Sequence, residues 1–213
     1  MFWTVLFTTI LGLYAVILLT ILAYRTTEVV ARAPWLDVVL SLLTWIPWVL
    51  GAVAAGGWGV LAVLLGQLIT LETFVWLHKT ASGYRGPSLT AAQNRAAGRM
   101  RNQVGLWVTL PALPVFLLIR LAEYIVYPPL VKIIGFPKLD HREWVTVSRQ
   151  KFENLVGPDL LWCLYCDWMT GVYSLGAEIL RNIESFWCPI KFYDGKKCEN
   201  CRIDFPDVDE WTE

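Results

Sequence analysis

Charge is what this sequence has least of. Only 17% of its 213 residues are Asp, Glu, Lys or Arg, against about 25% in ordinary soluble domains. From Met1 to Tyr24 there is no charged side chain, and between Leu36 and Leu77 there are only Asp37 and Glu72. A chain so short of surface-forming residues does not make a soluble single domain. Its 56% hydrophobic content excludes a disordered or collagen-like chain. Lys+Arg and Asp+Glu number 18 each. That balance excludes a broadly basic nucleic-acid binder. His78 and His141 are the only histidines, which argues against a histidine-ligated haem or di-iron centre. There is no Gly-rich phosphate loop, no Gly-x-Ser-x-Gly and no His-Glu-x-x-His. The composition fits an all-α integral membrane protein. Three or four transmembrane helices are expected, two of them forming a helical hairpin, with a small helical Cys-rich module at the C-terminal end.

A helix needs about 20 apolar residues to cross the hydrocarbon core. Residues 2–24 meet that length without a charge. No Lys or Arg precedes the run, as a secretory signal requires, so a retained anchor is expected. Residues 36–77 are about twice the spanning length. Gly51, Gly56, Gly57 and Gly59 punctuate their middle. Glycine permits a tight turn and weakens a helix interior. The pattern predicts two spans, 36–54 and 57–77, rather than one long helix kinked at Pro47. A fourth apolar segment, 104–127, carries Pro111 and Pro114, each of which removes a backbone donor. It is expected either to cross with a kink or to dip and return. Arg120 and Glu123 on it stand at i,i+3, where they can pair on one face.

Basic residues set orientation. Arg25 and Arg32 follow the first span, and nothing basic precedes it. The connection 78–103 carries Lys79, Arg85, Arg95, Arg99 and Arg101 and no acid. Both connections are expected in the cytoplasm, with the N-terminus and the Gly51–Gly59 turn outside. The segment 126–155 is also net basic, which favours a cytoplasmic C-terminal module and a re-entrant fourth segment. Within 78–103, Ser88 suits a helix N-cap. Arg95, Arg99 and Arg101 are topology determinants and candidate contacts to lipid headgroups. Among polar residues inside the spans, Gln67 and Glu72 stand out. Glu72 is a candidate proton or ion site, although it also lies close enough to Lys79 to reach the interface. Trp35, Trp58, Trp76 and Trp107 fall near span ends, as an aromatic belt requires.

The composition changes at Pro137, dividing the chain into a membrane part, 1–136, and a C-terminal part, 137–213. All five cysteines lie in the second. Gly157-Pro158-Asp159 opens an amphipathic helix running to about Phe186, with Leu161, Leu164, Trp168, Val172, Leu175, Ile179 and Ile183 at steps of three or four. Its acids make it a poor bilayer span. Tyr193-Asp194-Gly195 signals a turn. Cys163, Cys166, Cys198 and Cys201 form Cys-x2-Cys-x31-Cys-x2-Cys. Four thiolates in two such pairs suit a tetrahedral zinc, less often iron. The gap between pairs is longer than in common zinc patterns, and the first pair lies inside a helix. Cys188 and His141 are alternative ligands. Trp144, Trp162, Trp168, Trp187 and Trp211 indicate a second buried surface, within the tail or with a partner.

These features lead to three expectations. The first is a non-catalytic membrane subunit or assembly factor, multi-pass, of the bacterial inner-membrane type. It would dock on other membrane-protein subunits through a zinc-stapled module. The second is a membrane thiol-disulfide oxidoreductase using the two cysteine pairs. The third is a small transporter or channel component using Gln67 and Glu72.

Overall fold

The computed structural model describes residues 1–83, 88–109, 112–152 and 155–188, with the side chains of 106 and 107 left aside. The described residues are helical, with no strand among them. In chain order the helices are α1 (Phe2–Thr26), α2 (Trp35–Leu43), α3 (Ile46–Ser82), α4 (Leu89–Ala97), α5 (Arg99–Thr109), α6 (Ala112–Ile125), α7 (Tyr127–Ile133), α8 (His141–Trp144) and α9 (Pro158–Trp187). Two 3-10 turns, Glu28–Ala31 and Arg149–Lys151, connect them. Three stretches are long and apolar enough to cross a membrane: Phe2–Thr26, Trp35–Ser82 and Ala112–Ile133. Packing divides the chain into two compact units. One comprises residues 1–110 and 140–171, the other 111–139 and 172–213. These units follow contacts, whereas the division at 136/137 follows composition.

In the first unit, α3 is interrupted where the glycines predicted a turn. Ala55 (φ −147°, ψ 22°) and Gly56 (φ 57°, ψ −141°) leave helical geometry. Gly56 takes a left-handed φ, which glycine adopts without a Cβ penalty. The chain folds back there. A Cβ placed on Gly51 would lie 2.6 Å from Val63 Cγ2 and 2.8 Å from the Gly59 carbonyl oxygen. One placed on Gly59 would overlap the Gly51 carbonyl. Residues eight and twelve positions apart touch only if the arms are antiparallel. Small residues allow that approach, the ordinary way helices pack in lipid. The 36–77 stretch is therefore the expected hairpin.

α1 lies alongside the second arm of α3. Thr9 and the Leu6 carbonyl pack on Gly66, where a Cβ would come within 3.0 Å of Thr9 Cγ2. Tyr14 and Thr73 hydrogen-bond through their hydroxyls. The Phe2 and Trp58 rings meet edge to face at 6.4 Å. These pairs advance together along both helices, so α1 and the second arm are parallel. The start of α1 and the hairpin turn thus share one end. Within α1, Thr8 and Thr20 donate to the carbonyls of Thr4 (2.8 Å) and Val16 (2.7 Å). Hydroxyls in an apolar helix are satisfied this way without a second element.

Pro114, Pro128 and Pro129 act as helix starters rather than interior kinks, and Pro111 lies outside the described residues. The third apolar stretch is Ala112–Ile133; of the expected segment 104–127, residues 104–109 belong to α5 and residues 110 and 111 lie outside the described residues. Pro114 sits in the first turn of α6, and Pro128-Pro129 in the first turn of α7. Proline lacks the N–H that a first turn leaves unused anyway. The amphipathic C-terminal helix forms as expected, at Pro158–Trp187. Its first half belongs to the first unit and its second half to the other.

Candidate functional site

The polar residues of the spans can be taken one by one. Pro47 has no N–H to offer the Leu43 carbonyl. Trp48 N donates to the Trp45 carbonyl (3.0 Å), so the Thr44 carbonyl also loses its helical partner. Gln67, on the opposite arm, supplies both. Its Nε2 donates to the carbonyls of Leu43 (2.9 Å) and Thr44 (2.7 Å), and its Oε1 accepts from Trp48 Nε1 at 2.5 Å. A freed carbonyl in hydrocarbon costs several kcal/mol, so this amide clamps the break between α2 and α3. All three of its hydrogen-bonding groups are engaged. Asp37, in the first arm, accepts from the indole of Trp168 at 2.9 Å. Trp168 is only 1% exposed. Glu72 is exposed on α3 and forms no ion pair with Lys79 among the described residues.

In the second unit, α6 carries the i,i+3 pair anticipated from spacing. Arg120 Nη1 donates to Glu123 Oε2 at 2.5 Å, and Arg120 Nη2 donates to the Tyr124 hydroxyl at 2.7 Å. The guanidinium also lies over the Tyr124 ring, 4.3 Å from its centroid. Arg120 and Glu123 are 4% and 3% exposed. Gly176 of α9 makes room for them: a Cβ there would lie 3.3 Å from Glu123 Oε1. This pair neutralises its own charge within one helix.

The cysteine pair is built differently. Cys163 and Cys166 sit one turn apart on α9, the first half-buried and the second exposed. Arg149, on the second 3-10 turn, pairs with Asp167 at 2.7 Å. Asp167 also accepts from the backbone N–H groups of Ser148 and Arg149, both at 3.2 Å. That fixes the turn against α9. The Arg149 guanidinium is held above its usual range first by the Asp167 charge, with lesser help from the nearby Cys166 and Cys163. The pattern Cys-x-x-Cys makes this face legible in the sequence, whereas nothing local to Arg149 marks it as a neighbour of the pair. Side chains at i,i+3 on a helix have Cβ atoms about 5–6 Å apart. A disulfide needs about 3.5–4.5 Å. Two thiolates sharing one metal, each about 2.3 Å from it, fit the intact helix better than a bond between the sulfurs.

The rest of the expected ligand set is not brought to this face within the described residues. Cys198 and Cys201 lie outside them, as do the Tyr193–Gly195 turn and Trp211. His141 lies on α8 in the first unit, and Cys188 follows α9 in the second. Among the described residues no three His, Cys, Asp or Glu side chains gather as a metal site. Of the expected aromatic surface, Trp168 is buried, whereas Trp162 and Trp187 are exposed.

The basic connection is also ordered by a residue whose role the sequence concealed. Ser88 caps α4, accepting from Ala91 N at 3.4 Å. Asp159, 3% exposed, reaches the same helix end from α9. It accepts from Leu89 N (2.8 Å), Thr90 N (3.3 Å) and Thr90 Oγ1 (2.8 Å). A carboxylate at a helix N-terminus satisfies orphan donors and complements the dipole. Arg95, Arg99 and Arg101, beyond the cap, are exposed. Comparison with protein-family models, curated proteins and solved structures returns no significant match for this chain.

Proposed function

We propose that this chain is a non-catalytic integral membrane subunit or assembly factor. The observation that carries the reading is the use of the polar groups within the apolar stretches. Gln67 clamps a proline break, Asp37 holds an indole, and Arg120 pairs with Glu123. These are bonds that shape helices, not a row of groups along a path. The transporter reading is left with Glu72 alone. The C-terminal part docks on other membrane subunits, with zinc held by Cys163, Cys166, Cys198 and Cys201 as its staple. The helical spacing of the first pair supports a shared metal. Arg149 beside both thiols would temper the negative charge of such a site. The N-terminus and hairpin turn face outward, and the connection 78–103 and the C-terminal part face the cytoplasm. The parallel packing of α1 and the second arm of α3 is consistent with that arrangement.

A second reading has one observation in its favour. A guanidinium near two cysteines stabilises thiolates, as a thiol-disulfide oxidoreductase needs. Metal analysis of the purified full-length protein separates the two. A single equivalent of zinc and no reducible disulfide are expected. A metal-free protein whose cysteines cycle between thiol and disulfide with a quinone would replace the subunit reading by the redox one.

A further inference from the structure

The connection between α1 and α2 joins two membrane-crossing stretches, so it lies at the bilayer surface whichever side it faces. Residues 31–33 pair with 145–147. Ala33 N donates to the Val145 carbonyl (3.0 Å), Val147 N donates to the Ala31 carbonyl (2.9 Å), and Arg32 bridges Thr146. Ala31, Ala33, Val145 and Val147 are buried. Side chains alternate across an extended backbone, so Arg32 is turned outward from this rigid pairing. It lines a cleft of about 300 Å³ together with Glu28, Trp35 and Arg142.

Glu28, Arg32 and Arg142 give the cleft both signs of charge. Asp140 takes Nε and Nη2 of Arg142, the latter at 3.0 Å. Among the described residues Nη1 of Arg142 makes no hydrogen bond, and Arg32 makes no ion pair. Two arginines lining one cleft suit a phosphate. Glu28 supplies the opposite charge. Its only ion pair among the described residues is with Lys151 at 2.8 Å, each side chain 53% exposed. An exposed pair of that kind is worth about 0–1 kcal/mol, so an ammonium group can replace the lysine at little cost. Trp35 and Val29 are exposed at the rim, where the glycerol and first methylenes of a lipid lie.

We infer that this cleft binds the headgroup of a zwitterionic aminophospholipid, with the phosphate on Arg32 and Arg142 and the primary ammonium on Glu28. The full-length protein, extracted into mild detergent, is to be offered vesicle lipid with phosphatidylethanolamine, phosphatidylcholine or phosphatidylglycerol headgroups. Retained lipid is then counted by native mass spectrometry. Phosphatidylethanolamine should be retained over the other two. Arg32→Ala should weaken retention about tenfold, the loss of one charge-assisted hydrogen bond. The Arg32 backbone pairing survives that change, and an unaltered melting temperature would confirm it. Glu28→Gln should abolish the preference for the primary amine over the choline headgroup while keeping phosphate-dependent retention. Inorganic phosphate in place of lipid should not protect the site from Arg32-directed modification. Equal or greater retention of phosphatidylglycerol, retention unchanged in Arg32→Ala, or protection by free phosphate alone would each overturn the assignment.

Discussion

The amide of Gln67 does the work of the donor that Pro47 lacks. Replacing it by leucine strands the Leu43 and Thr44 carbonyls and the Trp48 indole N–H in an apolar setting. Gln67→Leu is expected to lower stability in detergent by about 1–3 kcal/mol. Adding Pro47→Ala should recover much of that loss, because residue 47 then has an N–H for Leu43. Denaturant unfolding of the two variants checks this; no recovery would mean that Gln67 acts otherwise. Arg120 and Glu123 behave as a buried pair. Glu123→Ala removes a carboxylate partner from a buried guanidinium, with an expected loss of about 3–5 kcal/mol. Replacing both residues with leucine should cost far less, by the same unfolding assay. Tyr165 gives a pH test. Burial pushes its phenol from 10.0 up to about 12. The raised value means the neutral form is favoured in the fold. Its contribution is therefore complete below the unfolded value near 10 and is lost as pH rises through about 12. An alkaline absorbance titration should show a late-ionising tyrosine component that is diminished in Tyr165→Phe.

Helix ends and helix crossings are where the elements depend on residues far away in sequence. Asp159 caps α4 from the start of α9 and bonds residues 69 to 71 positions distant. Asp159→Ala should unprotect the amides of Leu89 and Thr90 to hydrogen exchange while leaving α1 unchanged, at about 1 kcal/mol. The hairpin depends on glycine in the same sense. Gly59→Ala puts a methyl into the Gly51 carbonyl. The arms must then separate, at about 1–3 kcal/mol of overpacking strain. A lowered stability of Gly59→Ala in denaturant unfolding would report that separation. Gly171 is equally tight, since a Cβ there would lie 2.5 Å from the Trp144 carbonyl oxygen.

At the scale of the whole molecule, the expected outcome concerns sides of the membrane. If the basic connection 78–103 faces the cytoplasm, as proposed, a cytoplasmic Cys198 should resist an impermeant thiol reagent in intact cells and react after permeabilisation. Labelling from outside would reverse the orientation and favour disulfide chemistry. The large apolar side chains exposed along α1 and α3, Trp3, Phe7, Leu11, Trp58 and Trp76 among them, are what a lipid environment covers.

The sequence alone determined the helical class, the stretches apolar enough to cross a membrane, the hairpin and its turn, the i,i+3 ion pair of α6 and the long amphipathic α9. Each of these is a short-range property: hydropathy over about 20 residues, glycine at a turn, or side chains one helical turn apart. Only the tertiary structure decided what the isolated polar residues do. Gln67 read as a candidate functional group because its acceptors lie 23 and 24 positions away on the other arm. Asp37 meets Trp168 across 131 positions, and Arg149 meets the Cys163–Cys166 face from outside its own helix. Proline placement was half legible for a related reason. A proline breaks a helix or starts one, and the choice depends on whether a distant donor such as Gln67 takes up the carbonyl it leaves behind. Local pattern fixes which backbone groups need partners, and the fold alone decides who supplies them.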